Sequence, residues 1–484
     1  MLIPVDWRNF SRRGARQLSE AKAAMTVDMC GGKASTNGAT SSSTVELRAH
    51  SKGKAAGLLV HWTANLLPVE FDPDESLSYS TAPGEQNWQD HWLQILSPFP
   101  EELDCEAGDV IEVTAGRSDM SLWFSAKLLA SDVDKDIKKM RYGNDTRSED
   151  IHGEQCTCGW HLLCGAERIL IMNDVIRFQT WDAAISQIVE SLDSGSDMKF
   201  VLDVSDGSML SFILHAKLSS QTNVRVISVE SAQFSNIFAN QLIEANGYGN
   251  SMAVIENSSE LTEMSDYFSE TATRSPDLKI SLLMSECFYY QLHSLPTWRC
   301  LSFLYQRYSL KEHMAEHARV VPCRARVMAA AFELGGLAEG HGDVGIVEGF
   351  DLRYFDDYKS DWTQYSFPYK LGCYEKKILS QPVKLAEFDF EASEPKDSID
   401  ETATVPFLTA GKCDCIAIWV DYELVPGVDL QCWRDDDFPP YAKVSVWFFK
   451  KPDFVGPNSH NLRIQYSFKF GEEDLTCSYS ICSI

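Results

Sequence analysis

Positive charge is scarce in this chain. It has 484 residues, and 43 Lys and Arg stand against 70 Asp and Glu, a formal net charge of −27. Such a surface repels phosphate backbones, so nucleic acid is not an expected partner, and basic proteins or peptides fit better. No apolar run approaches the ~18 residues of a membrane-crossing helix, so no membrane partner is expected either. The N-terminus lacks a basic region followed by an apolar core, and no signal peptide is expected. The 14 cysteines are scattered and mostly single, not spaced as a disulfide framework. That usage suits free thiols in a reducing compartment, cytoplasmic and/or nuclear.

Core-forming material is plentiful, at 44% hydrophobic and 11% aromatic residues, and the length suits two to four domains. Residues 1–43 are poorly patterned, and "GGKASTNGATSSS" within them reads as a flexible linker. Short strand-like runs without helix patterning then fill residues 44–135: "STVELRAHSKGKAAGLLVHWTANLL", "DHWLQILSPFP", "GDVIEVTAG" and "SLWFSAKLL". Such spacing predicts a β-barrel or sandwich. After a connecting stretch at 136–165 the pattern changes. "WDAAISQIVESL" sets Trp181, Ala184, Ile185, Ile188, Val189 and Leu192 on one helical face. "KFVLDV", "VRVISVE", "SMAVIE" and "ISLLMSE" read as buried strands, with helices at "SMLSFILHAKL" and "FSNIFANQLIEANG", the latter closed by Gly247. Alternating strands and helices predict a doubly wound parallel sheet over 166–322. From 323 to 484 the chain returns to strands.

The two β regions repeat each other. "STVELRAHSKGKAAGLLVHWTANLLP" (residues 43–68) resembles "ATVPFLTAGKCDCIAIWVDYELVP" (403–426), and an acidic loop and another aromatic strand follow each. The expected fold class is therefore α/β plus β: a β-barrel, a Rossmann-like domain, then a second β-barrel.

Glycine is nearly missing where a nucleotide-type ligand would need it. "VLDVSDGSMLS" (201–211) reads as strand, tight turn and helix start, yet Gly207 is its only glycine. Doubly wound sheets bind ligands beyond the carboxyl ends of their strands, and small residues in the first turn let backbone approach the ligand. Ser205, Asp206 and Met209 stand there instead. Asp203 and Gly207 are the candidate contacts of this turn. Glu230 ends the second strand about 20 residues on, where an acid would hold ribose hydroxyls. Glu256 ends the third, where an adenine contact would lie, and Glu286 ends the fourth. Asp206 sets a carboxylate where a zwitterionic ligand's own carboxylate would sit, and like charges repel. The turn belongs either to a working cofactor site or to a scaffold that has stopped binding, and the side chains crowding it favour the scaffold.

In order, "NDVIRFQTWDAAI", "VLDVSDGSMLS", "VISVESA" and "LLMSECF", followed by a β region, resemble the protein arginine methyltransferases. "TVELRAHSKGKAAGLLVHW", "NWQDHWLQ", "CTCGWHLL", "EGFDL" and "EFDFE" extend the resemblance from about residue 43 to 470. It implies a degenerate S-adenosylmethionine methyltransferase domain between two barrels, and mono-methylation of arginine in proteins, histones included. By position, Arg177 matches the arginine that pairs with the carboxylate of S-adenosylmethionine, and Glu230 matches the ribose-binding acid. Glu286 matches the first of two glutamates that hold the substrate guanidinium, a task for carboxylates because each oxygen takes one N–H of a fork. Leu295 stands where the second is expected. The family's barrel sends a His-Trp pair to the active site. Asp90, His91 and Trp92 match that loop in the first barrel, but Tyr441 and Ala442 occupy the place in the second. Glu286, His91 and Trp92 are the candidate catalytic residues. The second module is expected to be the degenerate partner of a catalytic half whose Rossmann domain is not in this chain, leaving these residues weak or inactive alone. In the full-length family two modules form an intramolecular pseudo-dimer, so exposed apolar surface is expected. The alternative is a non-catalytic scaffold or substrate-binding module of the same fold.

"CTCGWHLLC" holds Cys156, Cys158, His161 and Cys164. Thiolates and imidazole at this density suit tetrahedral Zn²⁺, although the spacing is tighter than C-x₂-C. The resemblance implies a structural zinc on the Cys156, Cys158 and His161 core, and Cys164 is the candidate fourth ligand. Free thiols are the alternative. "HMAEH" (313–317) fits an inverted zinc-protease pattern and is expected to be a chance match on a polar helix end.

Overall fold

The structure is a computed structural model that describes residues 3–5, 14–26, 41–65, 78–83, 94–117, 122–129, 166–192, 199–208, 210–218, 223–257, 279–287, 296–359, 365–392, 398–469 and 474–483. The chain divides into two compact units, Met1–His161 and Leu162–Ile484.

The first unit is antiparallel β. Ser41–Arg48 pairs with Val110–Arg117, which pairs in turn with Leu122–Leu129. Gly53–Val60 pairs with Gln94–Cys105, and that strand also takes Ile3–Val5. Period-2 alternation makes these strands: Val110–Arg117 buries Ile111, Val113 and Ala115 and turns the residues between them outward. Ala55 and Cys105 of one sheet and Ile111 and Val113 of the other share one core. Among the described residues these strands pair as two three-stranded sheets.

The second unit opens with helices α1 (Ala166–Met172) and α2 (Val175–Leu192). α2 buries Trp181, Ala184, Ile185 and Ile188, the stripe legible in the sequence. A five-stranded parallel sheet follows: β1 (Lys199–Asp203), β2 (Val224–Val229), β3 (Met252–Ile255), β4 (Ile280–Met284) and β5 (Met314–Val321), in spatial order β3-β2-β1-β4-β5. Helices α3 (Leu210–Leu218), α4 (Gln233–Ala245) and α5 (Pro296–Ser309) connect the strands. The central strands read as apolar runs because both faces are covered: four of the five residues of β1 are buried. The strand order reverses between β1 and β4, so the cleft of this sheet opens beyond their carboxyl ends.

"HMAEH" is not a helix end: Lys311–His313 is a 3₁₀ turn, and Met314–Val321 is the edge strand β5. Pairing with β4 overrides the helical spacing, and His313 and His317 do not share a helix face.

The chain passes from β5 directly into the second β region. Arg324–Glu333 pairs with Gly411–Val425 and with Val383–Asp389, and Gly411–Val425 pairs with Val444–Val455. A second sheet orders Ser398–Pro406, His460–Lys469 and Asp474–Ser483. Ile418 and Val420 of the first sheet and Leu462, Ile464 and Tyr466 of the second lie in one core with Val201, Leu283 and Trp181 of the Rossmann part. These two parts of the second unit thus share a core.

Strand pairing supports the internal repeat. In the first unit 41–48 pairs with 110–117 and 53–60 with 94–105; in the second, 398–406 pairs with 460–469 and 411–425 with 444–455. Each quoted repeat is a strand, a short turn and a strand that joins a different sheet.

Candidate functional site

Register brings the candidate residues together. Asp203 lies level with Ser228 on one side and Met284 on the other. The residues just beyond are Ser205, Glu230 and Glu286, and all three are buried. Glu256, beyond β3, is exposed.

The turn after β1 is made by backbone that glycine tolerates best. Asp206 has φ +54° and Gly207 φ +99°. Asp206 holds its left-handed conformation by accepting from Ser231 twice, from the backbone N–H at 2.9 Å and from the hydroxyl. Its carboxylate therefore spans the gap between the turn and the end of β2. The Gly207 carbonyl accepts from the guanidinium of Arg168, on α1. Met209 lies outside the described residues.

Asp203 is satisfied from within the turn. Its Oδ1 accepts from the Ser205 backbone N–H at 2.9 Å and from the Ser205 hydroxyl, and its Oδ2 accepts from the Ser211 N–H at 3.0 Å. Burial pushes its carboxyl up to about 6, with Glu286 adding to the rise and these hydrogen bonds opposing it. Glu230 is treated likewise. Ser228 Oγ donates to its Oε1 at 3.2 Å and Ser235 Oγ donates to its Oε2. Burial pushes Glu230 up to about 7, the Ser235 bond opposes the rise, and Asp203 and Asp206 add to it.

Arg177 and Glu286 meet. The guanidinium donates through Nε to Oε1 and through Nη2 to Oε2, and each side chain is 2% exposed. The two-pronged geometry is that of an arginine recognised by a carboxylate. Burial lowers the Arg177 pKa and the charge and hydrogen bonds of Glu286 raise it, leaving it above its ordinary value. The Glu286 backbone N–H donates to Ser205 Oγ at 2.7 Å, so the serine in the glycine position also ties the turn to the end of β4.

Arg177 is aimed by Asp174, the N-cap of α2. Asp174 Oδ1 accepts from the Arg177 backbone N–H at 3.1 Å, which satisfies a free donor of the first turn. Its Oδ2 accepts from the Arg434 guanidinium and from the Tyr441 hydroxyl, both from the second β region. Burial acts to raise the Asp174 carboxyl, but the bonds from Tyr441, Arg177 and Arg434 outweigh it and hold it below the ordinary value.

Sequence reasoning named Arg177, Asp203, Gly207, Glu230 and Glu286, and the structure brings them to one place. It did not name Asp174, Arg434, Ser228, Ser235 or Arg168. Asp174 carried a readable signal, an Asp just before an apolar-periodic helix. Arg434 and Arg168 carried none, because their partners are 260 and 39 residues away; Ser228 and Ser235 lie two and five residues from Glu230, but no motif marks a serine so placed as its donor. His91, Trp92 and Leu295, and the zinc candidates Cys156, Cys158, His161 and Cys164, lie outside the described residues. Among the described residues no group of three or more His, Cys, Asp or Glu side chains is placed to hold a metal. Every described cysteine is a free thiol. Apolar side chains are exposed on α1 and the start of α2, at Ile169, Leu170, Met172, Val175, Ile176 and Phe178.

No protein-family model matches the chain. Curated relatives do. The chain is 26% identical to protein arginine N-methyltransferase 7 of Danio rerio over 466 residues, 92% of this chain and 62% of that protein. It is 25% identical to the Xenopus laevis protein of that name over 457 residues, 90% of this chain and 61% of the relative. With the Mus musculus protein it shares 27% over 421 residues, 82% and 55%. The chain is thus similar to these methyltransferases along most of its own length, and spans about six-tenths of theirs. A solved Trypanosoma brucei complex, described as a PRMT1 enzyme-prozyme heterotetramer with AdoHcy, aligns with TM-score 0.45 at 13% identity, covering 66% of this chain and 98% of that one.

Proposed function

We propose that the second unit is the non-catalytic module of a protein arginine methyltransferase that mono-methylates proteins such as histones, and that it serves that enzyme as scaffold. The observation that carries this reading is the Arg177–Glu286 pair. Arg177 would be needed for the carboxylate of S-adenosylmethionine, and Glu286 for the guanidinium of a substrate arginine. Each instead consumes the other. The remaining cleft residues do not fit the cofactor either: Asp203 and Glu230 are filled by serine donors, Ser205 bridges the turn, and Asp206 spans to Ser231.

The strand-pairing equivalence supports two related β regions on either side of a Rossmann-like part; the reading takes both as barrels and takes His91 and Trp92 as the intact His-Trp pair of the first copy. A net charge of −27 suits attraction of basic, arginine-rich substrates by long-range steering. The reading also includes a structural zinc on Cys156, Cys158, His161 and Cys164, and residence in the cytoplasm or nucleus.

The test is transfer of label from S-adenosylmethionine to a histone peptide by the purified 484-residue chain. No transfer above background is expected. Transfer that disappears in Glu286→Gln would overturn the reading and make this cleft the active site.

A further inference from the structure

Asp174, which caps the helix carrying Arg177, is held from the second β region. Tyr441 and Arg434 are distant from Asp174 in sequence, yet both donate to the same carboxylate oxygen, Oδ2. The pair of Arg434 with Asp174 is largely buried, at 14% and 8% side-chain exposure. Through its other oxygen Asp174 caps α2 at Arg177, and the Arg177 side chain runs on to Glu286. A continuous polar path therefore leads from the second β region, through the start of α2, to the end of β4. α1 is held by the same region, because Ile171 is buried among its aromatic side chains, Phe332, Trp419 and Tyr441 included.

We infer that Tyr441 and Arg434 form a clasp on Asp174 that holds the α1–α2 segment closed over the cleft and keeps Arg177 seated on Glu286. Closure is then a property of the second β region acting at a distance from the sheet. The exposed apolar face of α1 and α2 would otherwise leave this segment weakly held from outside. Segments with few such contacts open locally with free energies well below global unfolding. The inference stands on the geometry of Asp174 and does not depend on whether the chain transfers methyl groups.

The experiment is site-resolved hydrogen exchange on the full chain, comparing wild type with Tyr441→Phe and with Tyr441→Phe/Arg434→Gln. The peptide spanning Asp174 and Arg177 is expected to exchange at least tenfold faster in the double variant. The strand Ser398–Pro406, remote from the clasp, is expected to keep its wild-type rate. Adding Glu286→Gln is expected to shrink the effect of the clasp variants, because the two ends share Arg177. An unchanged rate in the double variant would overturn the clasp. So would a uniform rise across the second unit, which reports global destabilisation.

Discussion

Arg177 and Glu286 are 109 residues apart in the chain and meet as a two-pronged ion pair with 2% of each side chain exposed. One stands near the start of a helix and the other at the end of a strand, and only the folded sheet brings them together. Their pairing turns two residues suited to separate ligands into a structural contact.

A buried pair is costly to break and cheap to replace as a unit. Arg177→Ala leaves Glu286 buried without a cation, and a loss of about 3–5 kcal/mol is expected. The double change Arg177→Met/Glu286→Leu is expected to be less destabilising than either single change to Ala, because no orphaned charge remains. Denaturant unfolding at neutral pH measures both, and additive losses would contradict the pairing.

Stability is expected to fall as pH rises toward neutrality. Glu230 and Asp203 are pushed up to about 7 and about 6, against roughly 4 for an ordinary carboxyl. Between about pH 4 and 7 the folded state therefore binds more protons than the unfolded chain, and stability declines across that window. The Glu230 part is on the order of 3–4 kcal/mol. Glu230→Gln should flatten the profile, with stability at pH 8 at or above wild type. Asp174 has the opposite sign: its carboxyl is held down, so its contribution disappears only as pH falls below the ordinary carboxyl range. Melting temperatures from pH 4.5 to 8.5 on both proteins decide the matter.

Gly372 supports the clasp from below. A Cβ there would come 2.3 Å from the Phe438 carbonyl oxygen and 2.8 Å from that of Pro439, on the loop that delivers Tyr441. Gly372→Ala must push this backbone away, at a cost of about 1–3 kcal/mol. Thermal unfolding is expected to show that loss, and exchange at the start of α2 is expected to rise with it.

Zinc bound at Cys156, Cys158, His161 and Cys164 predicts a metal-to-protein ratio near one in the purified chain, measured by plasma emission. Cys158→Ser should reduce it sharply, since thiolates are the stronger ligands of such a site. A ratio near zero in the unaltered chain would sink the assignment.

The sequence alone determined the alternation of strands and helices from residue 199 to 310. Strands covered on both faces must be apolar throughout, and amphipathic helices must repeat their apolar residues every three to four positions, so local composition carries the pattern. It likewise determined the repeat of the two β regions and the row of acids at the strand ends. Only the tertiary structure decided what those acids do. Glu230 could have faced a ribose, but it faces Ser228 and Ser235; Glu286 could have faced a substrate, but it faces Arg177. Arg177 and Glu286 lie 109 residues apart and leave no periodic trace, and the two serines, though only two and five residues from Glu230, meet its carboxylate only when the strand end and the next helix are in place. The same holds for β5, where an "HMAEH" spacing suited to a helix yields to the open edge of β4. Tyr441 is the sharpest case: the sequence shows it only as a substitute for histidine, whereas the fold sets its hydroxyl on Asp174 and makes it part of what keeps the cleft shut.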